Sequence, residues 1–233
     1  MPKRRSERTK ERQHIREING SKIITFEFLT ANQQAAWDAY QNNDVIFLSG
    51  PAGTGKSFLA MAFAIRDILE RNRKKIILTR PIVEAGESLG HLPGDFNEKV
   101  NPYMVPLYDC YHTLCPGQTL KNKLVEQAFE VAPIAYMRGR TFDHSVCIFD
   151  EAQNATFSQL VLFLTRFGTN SKVIITGDPT QTDLPECSGF STVLERLEDV
   201  EGIGFVNFTT DDIVRHPLVA AILDKLNIHS YAA

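Results

Sequence analysis

The chain has 233 residues, 43% of them apolar, which is enough to bury one substantial core, and its 25 Lys and Arg against 28 Asp and Glu give a net charge of −3. No run of apolar residues approaches the ~18 that a membrane-spanning helix needs, and the basic start has no apolar stretch behind it, unlike a secretory leader. Cys110, Cys115, Cys147 and Cys187 show no C-x-x-C spacing, which speaks against a zinc site or a disulfide frame, so a reducing cytoplasm is the expected location.

Charge is unevenly spread. Residues 1–22 hold Lys3, Arg4, Arg5, Arg8, Lys10, Arg12, Arg16 and Lys22 against Glu7, Glu11 and Glu17, a net +5 that leaves −8 on the remainder. A basic arm on an acidic body suits contact with a polyanion, most simply nucleic acid. The same composition suits a solvated leader, and both readings stand. The chain is therefore expected to be a flexible arm, 1–22, followed by one domain, 23–233. Next comes Leu29-Thr30-Ala31-Asn32-Gln33. Thr30 or Asn32 suits the cap of a helix over Gln33–Tyr40. The Gln33 amide, donor on one edge and acceptor on the other, can match N6 and N7 of adenine. The two roles are compatible.

Asp44 to Ser49 reads as a short buried strand, and Phe58 to Arg71 has helical spacing. Between them lies Gly50-Pro51-Ala52-Gly53-Thr54-Gly55-Lys56-Ser57, which fits the phosphate-loop pattern G-x-x-x-x-G-K-[ST] at every required position. Backbone N–H groups of such a loop curl around phosphate oxygens, and the helix end beginning near Phe58 adds partial positive charge. Lys56 is expected to reach the β- and γ-phosphates, and the Ser57 hydroxyl to bind Mg²⁺. A glycine turn alone does not explain Lys-Ser after the last glycine.

Further strands are expected at Lys75–Thr79, Val146–Phe149, Lys172–Thr176 and Gly204–Phe208, with helices at Lys121–Phe129, Thr156–Phe167 and Ser191–Leu197. Continuous apolar strands alternating with helices predict an α/β fold with a mostly parallel sheet covered on both faces. The long connection from 80 to 140 contains Pro81, Pro93, Pro102, Pro106 and Pro116, so broken helices and loops are expected there, with an extra strand over Glu130–Tyr136.

Val146 to Phe149 runs into Asp150-Glu151. At the C-terminal edge of a parallel sheet this puts Asp150 beside the phosphate loop, able to hold Mg²⁺ opposite Ser57. Glu151, one step further, can polarise a water in line with the γ-phosphate as general base. Gly177-Asp178-Pro179-Thr180-Gln181 follows the next strand. Gln181 is the candidate γ-phosphate sensor, with Asp178 orienting it or touching the attacking water, although an ordinary Asp-Pro turn explains the same residues.

The Leu-Thr-x-x-Gln segment, the phosphate loop, the Asp150-Glu151-Ala152-Gln153 strand end and the Gly-Asp-x-x-Gln turn, in that order, resemble the first RecA-like domain of superfamily 1 helicases. More narrowly the chain resembles the PhoH family of ATPases, through the phosphate loop, Leu78-Thr79-Arg80-Pro81, Glu84-Ala85-Gly86-Glu87, Leu92-Pro93-Gly94-Asp95, Ala135-Tyr136-Met137-Arg138-Gly139-Arg140-Thr141, Phe149 to Asn154, and Val214-Arg215-His216-Pro217. The resemblance implies a RecA-like P-loop ATPase using ATP and Mg²⁺, with a proposed role on nucleic acid: a helicase-like motor or remodeller on single-stranded RNA or DNA, RNA favoured. A slow nucleotide-gated binding module is the alternative. Motors of that superfamily take an arginine finger from a second RecA-like domain. With one such domain here, a neighbouring subunit in a homo-oligomeric ring such as a hexamer is expected to supply it, from Arg138, Arg140 or Arg215. Each of these would serve equally as a surface ion pair. Arg80, Arg166, Lys99 and the tyrosines Tyr103, Tyr108 and Tyr111 are candidate nucleic-acid contacts, the tyrosines being more readily explained as packing.

Overall fold

Short apolar runs buried on both faces build the centre of the molecule. The computed structural model describes residues 14–18, 21–25, 28–81, 96–117, 120–181 and 189–214. Every residue of β3 (Val45–Ser49) and β6 (Ser145–Phe149) is buried, as are five of the six in β7 (Lys172–Gly177). Such strands have no wet face to offer and must lie inside a covered sheet. With β4 (Lys75–Thr79), β5 (Phe129–Val131) and β8 (Ile203–Asn207) they form one sheet in the order β5–β4–β6–β7–β3–β8, every pairing parallel. Alternation along each strand divides the core. Ile46, Leu48, Ile76, Leu78, Ile148 and Ile174 face α2 (Lys56–Leu69), α3 (Phe96–Leu114) and α4 (Leu120–Ala128), while Phe47, Ile77, Phe149, Val173 and Ile175 face α5 (Phe157–Leu164) and α6 (Gly189–Leu197).

Register then decides what meets at the top edge. Ser49 pairs with Gly177, and Phe149 pairs with both Thr79 and Ile175, so β3, β7, β6 and β4 end side by side. Because β7 lies between β3 and β6, its last residues are wedged between the phosphate loop and the acidic strand end.

Local chemistry agrees with these boundaries. Thr30 caps α1 (Ala31–Asn42) by accepting from the Gln33 N–H at 3.3 Å. Thr156 and Gln159 form a reciprocal capping box on α5. Two prolines of the long connection act differently from expectation. Pro102 and Pro106 lie inside α3, which continues past both because Met104, Leu107, Tyr111 and Leu114 form one buried stripe whose packing outweighs the missing N–H groups. The extra strand is shorter than expected: β5 stops at Val131, since Pro133 cannot donate to the ladder and instead opens a 3-10 turn, Ile134–Tyr136. Within the basic N-terminal segment, β1 (His14–Ile18) pairs antiparallel with β2 (Ser21–Thr25), so the boundary expected at residue 22 falls inside a hairpin; residues 1–13 lie outside the described residues.

Candidate functional site

The phosphate loop turns at three glycines with positive φ: Gly50 at 131°, Gly53 at 82° and Gly55 at 89°. Gly50 is hemmed in as well, since a Cβ there would fall 2.3 Å from the Phe208 carbonyl oxygen. Two backbone hydrogen bonds hold that approach: Phe208 N–H to Ser49 O at 2.7 Å and Gly50 N–H to Gly177 O at 3.1 Å. Thr54, buried, donates its hydroxyl to Pro51 O at 3.0 Å. Lys56 donates to the carbonyls of Gly50 (2.6 Å) and Pro51 (2.8 Å). Ala52, Gly53, Gly55, Lys56, Ser57 and Phe58 form one wall of a cleft of about 430 Å³, into which α2 directs its N-terminus.

The opposite wall is acidic. Ser57 Oγ donates to Asp150 Oδ1 at 2.7 Å, and the Thr176 hydroxyl donates to the same oxygen. Asp150 is 2% exposed. Glu151 stands beside it in the left-handed backbone region (φ 57°), unusual for a side-chain-bearing residue, and both its oxygens are engaged. Arg80 Nη2 lies 3.3 Å from Oε1, and Gln153 Nε2 donates to Oε2 at 2.5 Å. Gln153 Oε1 in turn accepts from the Asp178 N–H at 3.0 Å. A hydroxyl and a carboxylate are the hard oxygen donors that Mg²⁺ accepts, the remaining positions being filled by phosphate oxygens and water, so Ser57 and Asp150 fit that ion. Among the described residues no group of three or more His, Cys, Asp or Glu could hold a metal by itself.

Asp178 Oδ1 accepts from the Thr180 N–H (2.9 Å) and hydroxyl (2.6 Å), and Gln181 N–H closes the turn on Asp178 O at 3.1 Å. This tight turn sets Gln181 in the cleft wall, while Asp178 Oδ2 is buried with no hydrogen-bond partner. Gln33 is 6% exposed and not in the cleft wall. Its Oε1 accepts from Leu29 N–H at 2.8 Å and its Nε2 donates to Thr54 O at 3.2 Å, so it ties α1 to the phosphate loop.

Several contacts were not foreseen from the sequence. After β8 the chain returns over the phosphate loop, where Val214 N–H donates to Gly53 O at 3.0 Å. Asp212 anchors that return by accepting from Asn32 Nδ2 (2.7 Å) and Thr209 N–H (2.8 Å). Burial pushes the Asp212 carboxyl up, but these bonds and one from Thr30 outweigh it and hold it below the usual range. Arg80 is an ion-pair partner of the cleft acids rather than a residue on a separate face, and only the Thr79-Arg80-Pro81 strand end hinted at it. Burial, followed by the charge of nearby Asp150, pushes the Cys110 thiol up to about 11, so it stays protonated at neutral pH.

Two of the three arginines expected to serve as a finger for a neighbouring subunit fall among the described residues. Arg138 is exposed; Arg140 pairs with Glu130 and lies over the Phe142 ring at 4.7 Å; neither lines this cleft. Arg215 lies outside the described residues, directly after Val214, and so does the Lys99 side chain. Arg166 donates to Arg140 O and to the Thr165 hydroxyl. Tyr111 is buried edge-on to Phe129 at 5.0 Å and serves packing, not base stacking.

Comparison with known proteins agrees with this architecture. The family model described as PhoH-like protein matches residues 25–227. The chain is 49% identical over 197 residues to a PhoH-like protein of Bacillus subtilis, covering 84% of this chain and 62% of that one. It is 43% identical over 198 residues to protein PhoH of Escherichia coli K12, covering 83% and 54%. The chain thus spans a little over half the length of these relatives. Among solved structures, the large terminase of a thermophilic bacteriophage shares the fold at a TM-score of 0.53 and 13% identity, over 83% of this chain and 49% of that one.

Proposed function

This chain belongs to the PhoH-like protein family and carries its RecA-like P-loop NTPase fold, and from that premise we propose that it binds ATP with Mg²⁺ in the cleft above β3, β7 and β6 and hydrolyses it. The observation that carries the reading is the 2.7 Å bond between Ser57 and Asp150, which brings the phosphate-loop helix and the acidic strand end into one site with Glu151 at its rim.

In this reading Lys56 and the loop N–H groups bind the phosphates, and Ser57 and Asp150 hold Mg²⁺, which neutralises charge on the phosphate oxygens. Glu151 accepts a proton from the attacking water. Gln181, fixed by the Asp178 turn, contacts that water or the terminal phosphate. Gln33 has one N–H and one lone pair left to offer adenine while it braces the loop. The basic N-terminal segment supports a polyanionic partner, and the one proposed is single-stranded nucleic acid, RNA favoured. The reading includes a homo-oligomer, a ring such as a hexamer, in which a neighbour presents the finger: Arg138 is exposed, and neither it nor Arg140 lines its own cleft. No helix among the described residues is long and apolar enough to cross a membrane.

The test is phosphate release from ATP by the parent and by Glu151→Gln, with and without Mg²⁺ and with and without single-stranded RNA or DNA. We expect Mg²⁺-dependent turnover, a loss of about 10²–10⁴ in kcat for the variant with ATP still bound, and stimulation by nucleic acid. A variant as fast as the parent refutes the hydrolytic site. Turnover indifferent to RNA and DNA leaves a nucleotide-gated binding module.

A further inference from the structure

Arg80 is held in an unusual way for this protein. Among the described residues three other arginines close directly onto a carboxylate: Arg66 on Glu70 at 2.7 Å, Arg73 on Asp67 and Arg140 on Glu130. Arg80 instead spreads its guanidinium over three acceptors and closes on none. Glu151 Oε1 and the Tyr103 carbonyl of α3 each lie at 3.3 Å, and Asp150 Oδ2 lies at 4.0 Å. Charge-assisted N–H···O bonds ordinarily measure about 2.7–2.9 Å. The side chain is 21% exposed and opens into the cleft that Lys56 lines from the other wall. A planar fork of donors loosely shared among oxygens suits a bidentate oxyanion better than the acceptors it has.

We infer that Arg80 is a second phosphate-binding cation of this site, one that exchanges its loose pairing with Glu151 for a phosphate oxyanion. The inference rests on the nucleotide-binding reading above. Two sources carry that chemistry: the terminal phosphate of the bound nucleotide, and a phosphodiester of a nucleic acid entering along α3. In the first case Arg80 places within one chain a cation that a neighbouring subunit otherwise has to bring. In either case Glu151 loses one of its two partners when phosphate arrives, so phosphate binding and the orientation of the general base are linked through one side chain.

The test uses the full chain with Mg²⁺. Arg80→Gln keeps a stem and a donor for the Tyr103 carbonyl but removes the charge, and Arg80→Lys keeps the charge but not the fork. Dissociation constants for ATP, for ADP and for a single-stranded RNA oligonucleotide across a salt series are measured alongside kcat. If the source is the terminal phosphate, Arg80→Gln weakens ATP about tenfold while ADP is unchanged, kcat falls by about 10³ with or without RNA, and Arg80→Lys recovers part of the ATP affinity. If the source is the phosphodiester, ATP affinity is parental, RNA binding weakens, and the salt slope for RNA falls by about one, with Arg80→Lys restoring the slope. Affinities for all three ligands within about twofold of the parent in Arg80→Gln overturn the inference. Should Arg80→Gln fail to fold, Arg80→Met, uncharged and of similar reach, decides the matter: a reduced preference for ATP over ADP, or a weakened RNA affinity at parental ADP affinity, supports the inference, and parental values throughout refute it. A parent that hydrolyses ATP no faster than its Glu151→Gln variant sinks the hydrolytic reading alone, because these constants still report on Arg80. A parent that binds neither nucleotide removes both.

Discussion

Replacing Gly50 with alanine asks why the phosphate loop begins with glycine in this protein. Its φ of 131° lies in a region that residues with a side chain rarely enter, and holding alanine there costs about 1–3 kcal/mol. The new Cβ also meets the Phe208 carbonyl at 2.3 Å, so loop and β8 end must separate by roughly 1 Å to reach ordinary contact. That separation strains or breaks the Phe208–Ser49 or Gly50–Gly177 hydrogen bond, adding about 0.5–1.5 kcal/mol. A total of about 2–4 kcal/mol, at ~2–4 °C per kcal/mol for a chain of this size, lowers Tm by about 4–16 °C. The control is Gly55→Ala. It shares the positive φ, 89°, but its Cβ meets only Gln33 Nε2 at an ordinary 3.5 Å. Thermal unfolding of both variants, with ATP titrated into each, therefore separates backbone strain from the clash. Gly50→Ala should be the less stable of the two and should also bind ATP more weakly, because the displaced segment is the loop itself. Equal losses in the two variants would show that the Phe208 approach does not govern this position.

The buried cluster under α2 makes two further predictions. Asp67 accepts from Tyr40 at 2.6 Å and pairs with Arg73, so Asp67→Ala strands a nearly buried guanidinium and should cost about 3–5 kcal/mol in denaturant unfolding; a loss under about 1 kcal/mol would mean the pair is replaceable. Burial, then the charge of Asp67, pushes the Tyr40 hydroxyl well above its ordinary value of 10.0. The folded state thus keeps a proton that the unfolded chain releases. This contribution is complete below pH 10 and is lost above it, at up to ~1.4 kcal/mol per pH unit. Tyr40→Phe should flatten that alkaline fall, and an unchanged slope between pH 10 and 11 would assign it elsewhere.

How far each part of the site could be read depended on whether its parts are neighbours in the chain. The phosphate loop and the Asp150-Glu151 strand end are contiguous, and their chemistry is local: a helix N-terminus, a lysine, a hydroxyl, a carboxylate pair at a strand end. Buried strands announce themselves by unbroken apolar runs, so the covered parallel sheet was legible too. Prolines misled where packing prevailed, as in α3, and informed where hydrogen bonding prevailed, as at Pro133. Tyr111 was ambiguous as a symbol and became unambiguous only against Phe129.

The amino-acid order by itself determined that a phosphate-loop pattern and a strand ending in two carboxylates lie on an α/β frame, because each is a short pattern whose geometry its own residues impose. Only the tertiary structure decided that Gly50 answers to Phe208, that Gln33 braces Thr54, that the return after β8 reaches Gly53, and that Arg80 rests between Glu151 and α3. Those contacts follow from strand order and register, set by how the whole core packs, and no local run of residues encodes them.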